Sequence, residues 1–262
     1  MLDIFNIPVY YISFKPCIIL EKNLHSRGFY NVNHFPAIDG RKMDINKLLN
    51  DNTIGIRAYN DLLFGRDDHS GLPTLGAVGC TMSHCSLWNY CIDMDLPYIF
   101  IVEQDIILPK LTKNNINNIQ SALEKDNGIF ISPSTNITRT KNRVHFMGTH
   151  CYFVTQNACR KLVEKCFPIQ VQTDFYLAHM ATIGDINVEG YKMASQSLSG
   201  LGGRSSTIQT FCAKCILPKN ITFYISIIIG IIILVFISIF VSKKFFGCSK
   251  KLSLCRSSGN CS

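Results

Sequence analysis

Tyr98-Ile99-Phe100-Ile101-Val102-Glu103-Gln104-Asp105 is the stretch on which the fold turns. Its first five residues are apolar without alternation. An antiparallel strand with one wet face alternates apolar and polar residues. A continuous run belongs to a strand covered on both faces, typically in a parallel sheet with helices above and below. Pro97 stops whatever helix precedes it. The strand then ends in two carboxylates, Glu103 and Asp105. A period of two turns them the same way. Side by side they repel unless a cation joins them, and Mg²⁺ or Mn²⁺ carrying a diphosphate is the economical partner. Taken alone, the pair also reads as an ordinary polar loop after a strand.

Working outward, strands and helices alternate. Pro8 to Phe14 is read as a strand, and Lys42 to Asn50 as a short helix after the turn Asp39-Gly40. Gly55 to Thr74 is polar and glycine-containing, and reads as a loop. Gly79 to Met94 is read as a helix with Cys85, Trp88 and Ile92 on one face. Lys113 to Lys125 is a polar helix, and Ile129 to Ile131 and Cys151 to Val154 are strands. Thr155 caps a helix from Gln156 to Lys165, and Thr173 one from Asp174 to Ala181. This alternation predicts an open α/β sheet with helices on its faces. Ligands of such sheets sit beyond the carboxyl ends of the strands, where Glu103 and Asp105 lie.

The 262 residues carry a formal charge of +8 and a mean hydropathy of +0.16, with only 17% charged residues. Much of the hydropathy lies in Ile221 to Val241, about 20 residues without a charge, long enough to cross a bilayer as a helix. Lys243, Lys244, Lys250, Lys251 and Arg256 follow it with no acid among them. The rest of the chain holds 21 bases against 18 acids. No basic run precedes the span, so the charge gives no nucleic-acid footprint. Met1 to Lys15 lacks the form of a secretory signal: Asp3 stands where bases belong, and Asn6 and Pro8 break the apolar run.

The expected layout is an α/β domain over 1–210, a linker at 211–220, a transmembrane helix at 221–241 and a basic tail at 242–262. Orientation is contested. The five bases after the span argue for a cytosolic tail, as would acylation of Cys248. The lack of a leader argues for a cytosolic domain, which is the expectation for this single-pass protein of an internal membrane. The sequons at Asn136 and Asn220 matter only if the domain is luminal. Of the 12 cysteines, those before Cys212 are irregularly spaced and read as buried thiols. Cys212-Ala-Lys-Cys215 is a lone CxxC and a weak zinc signal.

Gly76-Ala77-Val78-Gly79-Cys80-Thr81-Met82-Ser83-His84 with Trp88, followed by the apolar strand and Glu103-Gln104-Asp105, resembles the glycosyltransferase family 25 pattern of G-x-x-G-C-x-x-S-H-x-x-x-W and E-D-D. Other pieces fall in the same order. Phe35-Pro36-Ala37-Ile38-Asp39-Gly40 resembles the F-x-A-x-D-G turn, and Gly148 to Leu162 the segment with Tyr152 and Ala158. Val171 to Asp174 resembles the P-V-D element, and Gln196 with Ser205-Ser206 the closing segment. The resemblance runs from about Ile7 to Gln209. Gln104 stands for the middle acid, Gln172-Thr173 for the usual residues before Asp174, and the first strand lacks the family's asparagine and arginines.

The resemblance implies a glycosyltransferase A-type, nucleotide-sugar-binding α/β fold. It implies Mn²⁺ or Mg²⁺, a nucleotide-sugar donor such as a UDP-hexose, and a glycan or protein acceptor. It implies that Glu103 and Asp105 hold the metal. His84, Gly79 and Ser83 line the donor side, and Asp174 acts as the base in an inverting transfer. The expected protein is a membrane-anchored hexosyltransferase, with galactose as a candidate sugar. The alternative is an inactive relative that uses the fold to bind a glycan or a partner, a reading that Gln104 supports.

Overall fold

The computed structural model describes residues 2–65 and 71–196, with residues 229 and 231–233. The chain divides into two units, Met1–Cys212 and Ala213–Ser262. In the second, the four described isoleucines are helical. The rest of the expected span at 221–241, the linker, the CxxC and the basic tail lie outside the described residues. Among the described residues no helix is long and apolar enough to cross a membrane.

The first unit alternates strand and helix. In chain order it contains β1 (Val9–Ser13), α1 (Ile18–Ser26), β2 (Val32–Pro36), α2 (Ile45–Asn50), α3 (Ile56–Phe64), α4 (Leu75–Asp93), β3 (Tyr98–Glu103) and β4 (Ile106–Ile107). There follow α5 (Lys113–Leu123), β5 (Gly128–Ser132), β6 (Thr138–Thr140), β7 (Arg143–His145), β8 (Cys151–Thr155), α6 (Gln156–Lys165), α7 (Thr173–Thr182), β9 (Asn187–Gly190) and β10 (Ser195–Gln196). Six strands form the main sheet in the order β2-β1-β3-β8-β5-β9. β8 alone runs against its neighbours, so the sheet is mostly parallel. β6 pairs with β7, and β10 with β4, as small antiparallel ribbons.

β3 sits inside the sheet and is covered on both faces, which is why its sequence does not alternate. Ile99 and Ile101 face Trp88 of α4, Leu162 of α6 and Leu177 of α7 in one core. Phe100 and Val102 face Leu20 and Leu24 of α1 and Ile119 of α5 in the other. Phe100 lies flat on Phe153 of β8, ring centroids 3.9 Å apart. A smaller core joins α2, α3 and the start of α4 through Leu48, Ala58 and Val78. Between α4 and α6 the Cys85 thiol meets Cys166, and that of Cys91 meets Cys159. All seven described cysteines are free thiols.

Several boundaries differ from the sequence reading. The supposed loop from Gly55 contains α3, whose inner side carries Ala58 and the polar Asp61. Asp61 is buried because its carboxylate accepts the Leu72 N–H at 3.2 Å. α4 begins at Leu75 rather than Gly79, since Thr74 caps it through the Ala77 N–H at 3.1 Å. Thr173 is the first residue of α7, not its cap, and its hydroxyl bonds that of Thr81 at 3.2 Å. Thr155 caps α6 as expected. α1 and β9 fall where the sequence predicts no element, and β2 runs to Pro36, into the stretch expected as a turn.

Candidate active site

The site gathers where β3 ends. Val102 pairs with Cys151 of β8, and the Glu103 N–H continues the pairing to the His150 carbonyl at 2.9 Å. This antiparallel register sets Gly148, Thr149 and His150 opposite Glu103. The Thr149 hydroxyl donates to Glu103 Oε1 at 2.5 Å. On the other side, α4 brings His84 Nε2 to 3.6 Å from the same oxygen. That nitrogen is buried, and no hydrogen-bond partner satisfies it.

His84 is held from behind. Its Nδ1 lies 2.8 Å from the Tyr152 oxygen, which also accepts the Trp88 indole N–H at 3.0 Å. Burial keeps the Tyr152 phenol well above its usual range, so it stays protonated. With the phenol donating to Nδ1, the imidazole carries its proton on Nε2, facing Glu103. With Nδ1–H donating to the phenol, Nε2 offers a lone pair to a cation. The Tyr152→Phe variant strips two buried nitrogens of their partner. It should lose about 1–3 kcal/mol of stability in urea unfolding, the usual cost of unsatisfied buried donors. An unchanged unfolding midpoint would refute this support.

Burial pushes the Glu103 carboxyl up. The His84 imidazole, the Thr149 hydroxyl and His150 more than offset it, leaving the group below the ordinary range and charged at neutral pH. Asp105 is raised by burial and then by the Glu103 charge. Asp174, the second residue of α7, is raised by burial, against the backbone N–H groups of Gly148 and Phe175, each 2.8 Å from its carboxylate. Both Asp105 and Asp174 feel the Glu103 charge, so the three acids form one electrostatic group.

The structure sorts the expected site residues. Glu103 and His84 are side by side. Asp105 is nearby, but β3 ends at Glu103, and Gln104–Asp105 form a turn leading into β4, so the strand period does not carry to Asp105. Among the described residues, the set whose ligand atoms lie within 4.8 Å of one another is Cys80, His84 and Glu103. Gly79 and Ser83 engage the preceding turn. A Cβ on Gly79 would lie 2.4 Å from the Ile38 carbonyl oxygen. The Ser83 hydroxyl accepts the Ile38 N–H at 2.9 Å and donates to the Gly79 carbonyl at 2.7 Å. These two residues seat the Ile38–Gly40 turn on α4, and so fix the helix that presents His84. Asp39 forms that turn by accepting the Arg41 N–H at 3.2 Å.

Cys80, Thr149 and His150 are absent from the sequence-based set. Cys80 follows Gly79 in the quoted motif, one turn before His84, so helical spacing alone could have found it. Thr149 and His150 depend on the β3–β8 register. The buried, unsatisfied His84 nitrogen beside a charged carboxylate fits a divalent cation. The mixed nitrogen and oxygen donors suit Mn²⁺ better than Mg²⁺, which prefers oxygen.

A carboxylate and histidine cluster at the carboxyl end of a strand in a mostly parallel sheet stands where open α/β sheets bind their ligands. Comparison with known proteins shows what part of the chain resembles. Residues 18–136 match the model of glycosyltransferase family 25 (LPS biosynthesis protein). A glycosyltransferase 25 family member of Drosophila pseudoobscura pseudoobscura is 30% identical over 111 residues, 40% of this chain and 17% of the relative. Procollagen galactosyltransferase 2 of Mus musculus is 30% identical over 92 residues, 34% and 13%. The lipooligosaccharide biosynthesis protein lic2B of Haemophilus influenzae is 51% identical over 35 residues, 13% of each. The matched stretches span less than a fifth of these relatives. The family resemblance read from the sequence is borne out over residues 18–136, which hold Gly79, Ser83, His84, Glu103 and Asp105. Asp174 lies beyond them.

Proposed function

We propose that the protein is a metal-dependent glycosyltransferase that moves a hexose, galactose being the first candidate, from a nucleotide sugar to an acceptor hydroxyl with inversion. The observation that carries this is the charged Glu103 at the end of β3, facing an unsatisfied His84 nitrogen, within a family 25 stretch. Glu103 and His84, with Cys80 and Asp105 at their side, would hold Mn²⁺. A cation there supplies charge neutralisation for the departing diphosphate. The residues of this chain do the rest. Tyr152 and Trp88 fix the imidazole. Thr149 orients the Glu103 carboxylate. Asp174 is the candidate base, and its raised pKa suits a group that takes a proton from a sugar hydroxyl.

The apolar run at 221–241 supports anchoring in an internal membrane, with the first unit on the cytosolic side. Protease protection in isolated membranes tests that orientation, and a protected domain would reverse it. The activity is tested with the full chain in detergent, a panel of UDP-hexoses and Mn²⁺. Metal-dependent release of UDP, abolished by EDTA, is expected with at least one donor, and NMR of the product reads the anomeric configuration. If no donor is hydrolysed or transferred and none binds with metal, the transferase reading is overturned. The fold would then serve as a binding module, as the Gln104 substitution suggests.

A further inference from the structure

A second concavity is lined in part by α7, through Phe175, Tyr176 and His179. It encloses about 470 Å³, within the range of small-molecule sites. Its basic residues come from four separate elements: Arg57 of α3, Arg143 of β7, Lys165 at the end of α6 and His179 of α7. No carboxylate is among its described lining residues. Asp185 pairs with Lys165 at 2.6 Å, and the Arg143 side chain is exposed. The floor is apolar and aromatic, with Ile169, Val171, Phe175 and Tyr176.

The cavity shares walls with the candidate active site. Phe175 lines it, and the Phe175 backbone N–H bonds the Asp174 carboxylate. Thr81 lines it, one residue after Cys80, and bonds Thr173 beside Asp174. A guanidinium is the preferred partner of a phosphate or carboxylate, since its fork matches two oxygens at once. An aromatic and aliphatic floor accommodates the C–H face of a sugar ring. We propose that this cavity is a binding site for a saccharide bearing a phosphate or carboxylate, and that it lies on the acceptor side of the site. The acceptor assignment rests on the transferase reading, whereas anionic-sugar binding does not.

The test uses the full chain and calorimetric titration with glucose 6-phosphate, glucose and inorganic phosphate. Glucose 6-phosphate should bind at least tenfold more tightly than glucose, less tightly as salt rises, and still bind with UDP and Mn²⁺ saturating. Arg143→Ala, at an exposed side chain, should weaken it at least fivefold with an unchanged melting temperature. Equal affinity for the two sugars, or wild-type affinity in Arg143→Ala, would overturn the proposal. Inorganic phosphate binding as tightly as glucose 6-phosphate would overturn its saccharide part. Competition by UDP would place the anion in the donor site instead. Phosphosugar binding with neither donor turnover nor metal-dependent donor binding would sink the transferase reading and the acceptor assignment with it, and leave anionic-sugar binding standing.

Discussion

Gly40→Ala should destabilise the first unit by about 3 kcal/mol. The added Cβ would lie 1.8 Å from the Leu75 carbonyl oxygen and 2.7 Å from the Gly79 nitrogen. Both are backbone atoms of α4, so no side chain can rotate away. Relief requires the Ile38–Gly40 turn to lift from the helix. That motion breaks the 2.9 Å bond from the Ile38 N–H to the Ser83 hydroxyl. Overpacking costs about 1–3 kcal/mol, and a half-buried donor that loses its partner adds up to about 1 more. Gly184→Ala is the control. Gly184 has φ 84° with nothing within 4 Å, so it carries only a backbone term of about 1 kcal/mol. Urea unfolding of both variants gives the difference. Equal losses would mean that the turn does not rest on α4 as described. A larger loss at Gly40 explains why the D-G turn and the G-x-x-x-S-H helix occur together, since they form one packing unit that aims His84.

What the sequence made legible follows from where each residue lies. β3 was readable because burial on both faces removes polar residues from it, and α6 because Thr155 caps it with a hydroxyl. α1 was not readable, because exposed Ile18 and Ile19 precede the buried Leu20 and Leu24 and blur the periodicity. α3 was hidden by Asp61, whose burial is explained only by a bond to Leu72, eleven residues away. The reversed direction of β8 leaves no local trace. Cys151-Tyr152-Phe153-Val154 has the same character as the parallel strands beside it, and direction is a property of pairing.

The site divides in the same way. Glu103 was visible as the acid that ends an apolar strand, and His84 as part of a motif. Asp105 was visible too, but its expected alignment assumed that the strand continued, and the turn at Gln104–Asp105 ends it. Thr149 and His150 reach Glu103 through a register that the sequence does not print. Gly79 and Ser83 were legible as a motif, but the motif does not separate contact with a ligand from contact with the neighbouring turn. Asp174 was visible at a helix start, and its proximity to Glu103 and its bond to the Gly148 N–H required the fold.

Glu103→Gln should reduce sugar transfer by about 10³-fold or more while leaving the fold in place. The amide has the shape of the carboxylate, and its oxygen still accepts the Thr149 hydroxyl. It lacks the negative charge that faces His84 Nε2 across 3.6 Å. A loss of 10³ corresponds to about 4 kcal/mol of transition-state stabilisation, in the range reported for removing one preorganised electrostatic contact. Asp105→Asn should lose less, about tenfold, because Asp105 stands outside the set of ligand atoms formed by Cys80, His84 and Glu103. Two measurements separate chemistry from folding. Urea unfolding reports whether the variant is intact, and Mn²⁺ titration by electron paramagnetic resonance reports whether the ion is still held. Loss of ion binding and turnover together in a folded Glu103→Gln protein would place this carboxylate on the metal. Loss of turnover with ion binding retained would move it from ligand to a positioning role. Wild-type turnover in Glu103→Gln would remove the end of β3 from the chemistry, because no other described carboxylate ends a strand facing an unsatisfied buried nitrogen.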